Sequence, residues 1–73
     1  MSIYQQFEIE TFELGFGQWH ACFRPVDRSK PVMIDGVGFA VVNVGFAWPT
    51  AEAARIDAQS FIDRMLTRRS AAA

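Results

Sequence analysis

From Thr50 onward this chain has one regular way to fold. Ala54, Ala58, Phe61, Ile62, Met65 and Leu66 recur at i, i+4, i+7, i+8, i+11 and i+12, a spacing that gathers them into one stripe of an α-helix. Thr50 stands where an N-cap hydroxyl accepts from a free backbone N–H, and Glu52 lies in the first turn, where the helix dipole favours an anion. Glu52, Arg55, Gln59 and Asp63 line the opposite side, and Arg68 and Arg69 complement the negative C-terminal end. The pattern predicts an amphipathic helix over about 51–69, roughly 28 Å long, with 70–73 frayed. A helix with one apolar stripe covers one face of a sheet.

The residues before it read as strands. Over 4–14, Phe7, Ile9 and Thr11 share one face while Glu8 and Glu10 share the other. Phe12 and Leu14 then fall on the glutamate face; a bulge or a strong twist near Thr11 would return them to the core, and otherwise the strand ends there. Gly15-Phe16-Gly17 supplies a turn. A second strand follows over 18–24, with Trp19, Ala21 and Phe23 on one face and His20, Cys22 and Arg24 on the other, and Pro25 ends regular pairing. Residues 25–37 form the longest irregular segment. Inside it Val32-Met33-Ile34 has two readings: part of a projecting loop, or a short strand that Asp35-Gly36 folds back onto Val37. The third main strand is placed at 38–47, where Phe39, Val41, Val42, Val44 and Phe46 leave both faces largely apolar. The fold expected is therefore α+β: a three-stranded antiparallel meander with the C-terminal helix on one face, forming a single domain over 1–73.

Composition bounds what such a domain can do. A chain of 73 residues removes only about 60% of its unfolded surface from water. It commits ten aromatics, seven Phe, two Trp and Tyr4, to doing so. A ligand pocket of roughly 300 Å³ or more would hollow out the only core available, which weighs against an enzyme with a deep cleft. Cys22 is the sole cysteine, so no internal disulfide staples the chain and a reducing, cytoplasmic setting is expected. Neither a secretory signal nor a membrane span is legible: the most apolar segment, 37–48, is shorter than the about 20 residues a spanning helix needs. Charge is uneven. Residues 1–14 carry Glu8, Glu10 and Glu13 without a base, whereas Arg24, Arg28 and Lys30, and Arg64, Arg68 and Arg69, form two small basic groups. A sequence pI near 5.6 weighs against non-specific nucleic-acid binding, which scales with the phosphates neutralised.

No set of residues reaches catalytic, cofactor-binding or metal-binding standard. His20 and Cys22 project together from one strand, but a structural zinc site takes four ligands of that kind, and a small apolar cysteine beside a surface imidazole explains the pair. A cysteine-dependent enzyme with Cys22 as nucleophile is the remote alternative. Glu8 and Glu10 read as solvated charges that guard a strand. Asp57 and Asp63, at i and i+6 on the helix, do not face each other. Gly15-Phe16-Gly17 and Gly36-Val37-Gly38 precede strands, so neither presents a helix N-terminus to a phosphate. Phe16 and Trp19 near the basic residues suggest a base-stacking platform, against the greater need for aromatics in the core.

The third strand carries the strongest functional signal. It ends the meander, so it is a sheet edge, and it lacks the charge or proline that usually protects one. A non-catalytic interaction module follows, binding a protein or a second copy of itself as a homodimer, without cofactor or membrane. Val42, Val44 and Phe46, with Met33, Arg28 and Lys30 beside them, are the candidate contact residues. The alternative is an RNA- or DNA-binding module that uses Arg24, Arg28, Lys30, Arg64, Arg68 and Arg69.

The β-β-β-α order, with Trp48-Pro49-Thr50-Ala51-Glu52-Ala53-Ala54 at the helix start, resembles small bacterial proteins of unknown function. It is also similar to the partial double-stranded-RNA-binding-like fold of HicB-type antitoxins, where a three-stranded meander leads into a T-x-E-E-A-like helix. Thr50, Glu52 and Ala54 approximate that pattern, and the resemblance implies the fold. The lysine cluster that opens the last helix of true double-stranded-RNA-binding domains has no counterpart in Ala51-Glu52-Ala53-Ala54-Arg55.

Overall fold

The computed structural model describes residues 2–72, apart from the side chains of 68–72. Six strands precede one helix: β1 (Ser2–Tyr4), β2 (Phe7–Gly15), β3 (Gln18–Pro25), β4 (Val32–Ile34), β5 (Val37–Phe39), β6 (Val42–Trp48) and α1 (Ala51–Ala72). The α+β class is as expected, but the three-stranded meander is not. β1, β2, β3 and β6 form an antiparallel sheet in the order β1-β2-β3-β6, and β4 and β5 pair as a separate hairpin.

Two turns account for the difference. The strand expected over 4–14 breaks at Gln5 and Gln6, whose φ of 51° and 68° fold β1 back onto β2, pairing Tyr4 with Phe7 and Ser2 with Ile9. Two-residue hairpin turns of this hand normally recruit Asn and Gly, and two glutamines gave no such signal. The strand expected over 38–47 is two strands. Asp35 and Gly36, at φ 51° and 80°, close the β4–β5 hairpin with Val32 opposite Phe39 and Ile34 opposite Val37. The chain then leaves that hairpin at Ala40-Val41 and enters the main sheet at Val42. Gly38 has a packing reason to lack a side chain: a Cβ there would stand 3.3 Å from Pro31 Cβ and 3.4 Å from Met33 Sδ.

α1 lies across β2, β3 and β6, chiefly over β3. Thr50 caps it as expected, its Oγ1 accepting from Ala53 N–H at 3.1 Å. Of the predicted stripe, Ala54, Ala58 and Ile62 are fully buried, and Phe61, Met65 and Leu66 pack against the core. Beneath them Phe7 and Ile9 of β2, Ala21 and Phe23 of β3, and Val42 and Val44 of β6 supply the sheet half, with Val32 of the hairpin beside them. Phe23 joins the layers, edge-on to Phe7 at 5.5 Å between ring centres and tilted against Phe61 at 5.6 Å. Ala73 lies outside the described residues. Among the described residues no helix is long and apolar enough to cross a membrane.

Candidate interaction surface

The two faces of the main sheet carry opposite chemistry because strand side chains alternate. The face away from α1 is a polar ladder. Glu8 pairs with Arg24 across β2 and β3, Glu10 with Cys22, and Phe12 with His20. Arg24 donates from Nε to Glu8 at 3.0 Å and from Nη2 to Glu10 at 2.6 Å, and Arg28 reaches Glu8 at 3.6 Å. The expected bulge lies at Glu13/Gly15, not near Thr11. Phe12 therefore stays on this face, stacked on His20 at 5.8 Å and 17°, and Leu14 projects into solvent. Glu13 has a local task, accepting the Gly17 N–H at 2.8 Å in the turn beyond.

These contacts bear on the residues singled out for chemistry. Glu8 and Glu10 are both tied to one guanidinium. Cys22 has its thiol pKa raised, first by burial and then by the Glu10 charge, so the environment holds it protonated, the reverse of what activates a nucleophile. The nearer basic group is largely balanced in place. Arg24 and Arg28 face Glu8 and Glu10, and Lys30 lies close enough to Asp27 to attract its carboxylate. Asp27 is held below the usual carboxylate range mainly by the Ser29 hydroxyl at 2.6 Å and the Ser29 N–H at 3.0 Å. Arg24, Arg28 and Lys30 border a shallow cleft of about 280 Å³ with Ala40 and Val41 on its apolar side. Arg64 is exposed, its guanidinium 6.0 Å from the Phe61 ring centre; the side chains of Arg68 and Arg69 lie outside the described residues.

The candidate contact face divides. Val42 and Val44 are buried, at 8% and 6% exposure, beneath α1. Both apolar faces of the expected strand belong to different elements: Val42 and Val44 to the interior, Phe39 and Val41 to the hairpin and the crossing that follows it. Phe46 is open, at 70%. The register explains this, because Trp19 pairs with Trp48 but Ala21 with Val44; β6 fits two extra residues into that interval, and Phe46 lies in the irregularity. Met33, Val37, Phe39 and Val41 are each exposed by about two-fifths or more. No formal charge occurs between Asp35 and Glu52. Among the described residues β6 pairs only with β3, as the last strand of its sheet, so its outer backbone edge faces away from every other described strand of that sheet.

Asp57 and Asp63 hold contacts that the sequence pattern does not disclose. Six residues place them about 120° apart around the helix, on different flanks. Trp48 Nε1 donates to Asp57 Oδ2 at 3.0 Å, and Tyr4 Oη donates to both Asp63 oxygens at 2.8 and 2.9 Å. Each outermost strand of the sheet is thus tied to α1 by an aromatic donor. The available signal was the aromatics themselves, since a half-buried Trp or Tyr needs a partner for its polar handle.

No family model matches this chain, and comparisons with curated proteins and with solved structures find no match either.

Proposed function

We propose that this chain is a non-catalytic protein-interaction module that takes up an extended strand along the outer edge of β6. The carrying observation is that edge: seven residues long, without charge or proline, bonded to the sheet on one side only, and bearing the exposed Phe46. Unpaired strand backbone binds another strand through main-chain hydrogen bonds, and flanking side-chain contacts add selectivity. The hairpin residues Met33, Val37 and Phe39, with Val41 beyond them, lie just before β6 in the chain and supply further apolar contact surface. The non-catalytic reading is supported by carboxylates committed to Arg24 and by a thiol held protonated. Local balance of Arg24, Arg28 and Lys30 by carboxylates disfavours a nucleic-acid role, which requires uncompensated cations. The HicB-like resemblance rests on Thr50, Glu52 and Ala54 and enters only as a proposal about fold. An unpaired thiol fits the cytoplasm as the setting.

The test is selection of extended heptapeptides against the immobilised chain, followed by amide chemical-shift mapping. Enriched peptides are expected to shift residues 42–48 above all others. Failure to enrich binders, or shifts confined to other elements, overturns the reading.

A further inference from the structure

We infer that the strand taken up by β6 is β6 of a second copy, giving a symmetric dimer with a continuous eight-stranded sheet. This rests on the strand-docking reading above and specifies its partner.

Three observations select a second copy joined edge to edge. First, β6 is uncharged from Val42 to Trp48, so two identical edges meet without like-charge repulsion across the pair. Second, the alternative of packing open face on open face would bury the Arg24–Glu8–Glu10 cluster. Burying ion pairs carries a desolvation penalty that often exceeds the attraction gained. Third, the assembly closes. Pairing β6 with β6 uses the longer edge of each sheet, which carries neither charge nor proline and is regular over Val42–Val44 before the irregularity at Phe46, and leaves β1 as the outermost strand at both ends. β1 has three residues, and very short edge strands are one of the ways proteins stop further addition. The product is a pair, with the order β6-β3-β2-β1 running outward on each side.

The symmetry follows from the alternation of side chains. Two identical antiparallel strands side by side in one sheet are related by a two-fold axis normal to the sheet, which keeps equivalent residues on the same face. Both copies of α1 then lie on one side of the joined sheet, and both Arg24 clusters remain on the other, in water.

The experiment is light scattering coupled to size exclusion on the full chain at low and high micromolar concentration, with amide exchange measured at both. A mass of twice 8.2 kDa is expected at the higher concentration, together with slower exchange at 42–48 and unchanged exchange at 2–4. The double variant Asn43→Lys/Phe46→Lys alters two exposed positions and is expected to halve the mass while retaining the circular dichroism of the parent. Ile3→Lys, on the opposite edge, is expected to leave the dimer intact. A monomer at high micromolar concentration overturns the inference, as does a dimer that survives the double lysine variant, or growth to larger species. A monomer whose 42–48 amides still respond to selected heptapeptides overturns only the second copy as partner. A monomer without that response overturns the strand-docking reading as well.

Discussion

The two edges of the main sheet share a tether and differ in length and in what they bury. At each, an aromatic side chain of the outermost strand donates to an aspartate of α1: Tyr4 to Asp63 from β1, Trp48 to Asp57 from β6. Yet β1 has three residues behind a turn with two non-glycine residues at positive φ, whereas β6 has seven and sends Val42 and Val44 into the core. Tethering to the helix therefore fixes where an edge lies without deciding whether it is closed. Length decides that: neither strand carries a formal charge, but β1 has three residues and is closed, whereas β6 has seven and is open.

The sharpest contrast lies in what each edge strand contributes to stability. Val44→Ala removes buried methyl groups beneath α1 and is expected to destabilise the chain by about 2 kcal/mol, from transfer loss and the cavity left behind. Ile3→Ala on β1 changes a residue that is 67% exposed and should stay within about 0.5 kcal/mol of the parent. Urea denaturation at low micromolar concentration, where self-association is minimal, compares the two. Equal losses would mean that β1 belongs to the cooperative core as fully as β6 does.

The tethers come next. Asp57→Ala leaves the half-buried Trp48 indole N–H without its acceptor and is expected to cost about 1 kcal/mol. Indole fluorescence and urea midpoint should move together. A shift in fluorescence with no change in midpoint would show that the tether orients the Trp48 ring without stabilising the edge.

A smaller change of opposite sign is expected at the β1 turn. Gln6 holds φ at 68°, where an L residue carries roughly 1–2 kcal/mol of strain. Gln6→Gly relieves that strain and adds the backbone entropy of glycine, about 0.5–1 kcal/mol. A net gain of about 0.5 kcal/mol in thermal or urea unfolding is expected; a loss would mean that the Gln6 side chain makes up for its backbone.

These positions also show which parts of the molecule the sequence discloses. The helix is legible because three independent signals coincide there: an apolar stripe, a capping threonine and an acidic first turn. β2 and β3 are legible because alternation survives over most of their length. β1 is not, because a hairpin turn made by Gln5 and Gln6 has none of the residues that turn chemistry favours. The division of 38–47 into β5 and β6 is invisible for a different reason. Val41-Val42 continues an apolar run without a break, and only the long-range pairing of Val42 with Phe23 fixes where one sheet ends and the other begins. β6, within the segment expected as the third strand, is a sheet edge, but two of the expected contact residues, Val42 and Val44, face inward. Alternation distinguishes the faces of a strand only after the strand itself has been delimited.

The last and smallest effect distinguishes the edges by proton. Tyr4 is the only tyrosine in the chain, so the tyrosinate absorbance reports on β1 alone. Its pKa is raised, foremost by the hydrogen bond its hydroxyl gives to Asp63, then by burial and by the Asp63 charge. A raised pKa means that the folded state holds the phenolic proton more tightly than the unfolded chain does. The associated stability is fully present below the ordinary tyrosine value of about 10 and is lost as pH rises through the higher folded value. The Cys22 thiol, also raised, acts in the same direction, so the titration belongs in a Cys22→Ser background. There the tyrosinate midpoint is expected above 10 and should fall toward 10 in Asp63→Ala. Protection of the 2–4 amides, measured relative to their base-catalysed intrinsic rates, should fall through the same range, while protection at Trp48 holds steady, because an indole N–H does not titrate there. A midpoint unmoved by Asp63→Ala would detach Tyr4 from the helix and leave β1 closed by its length alone.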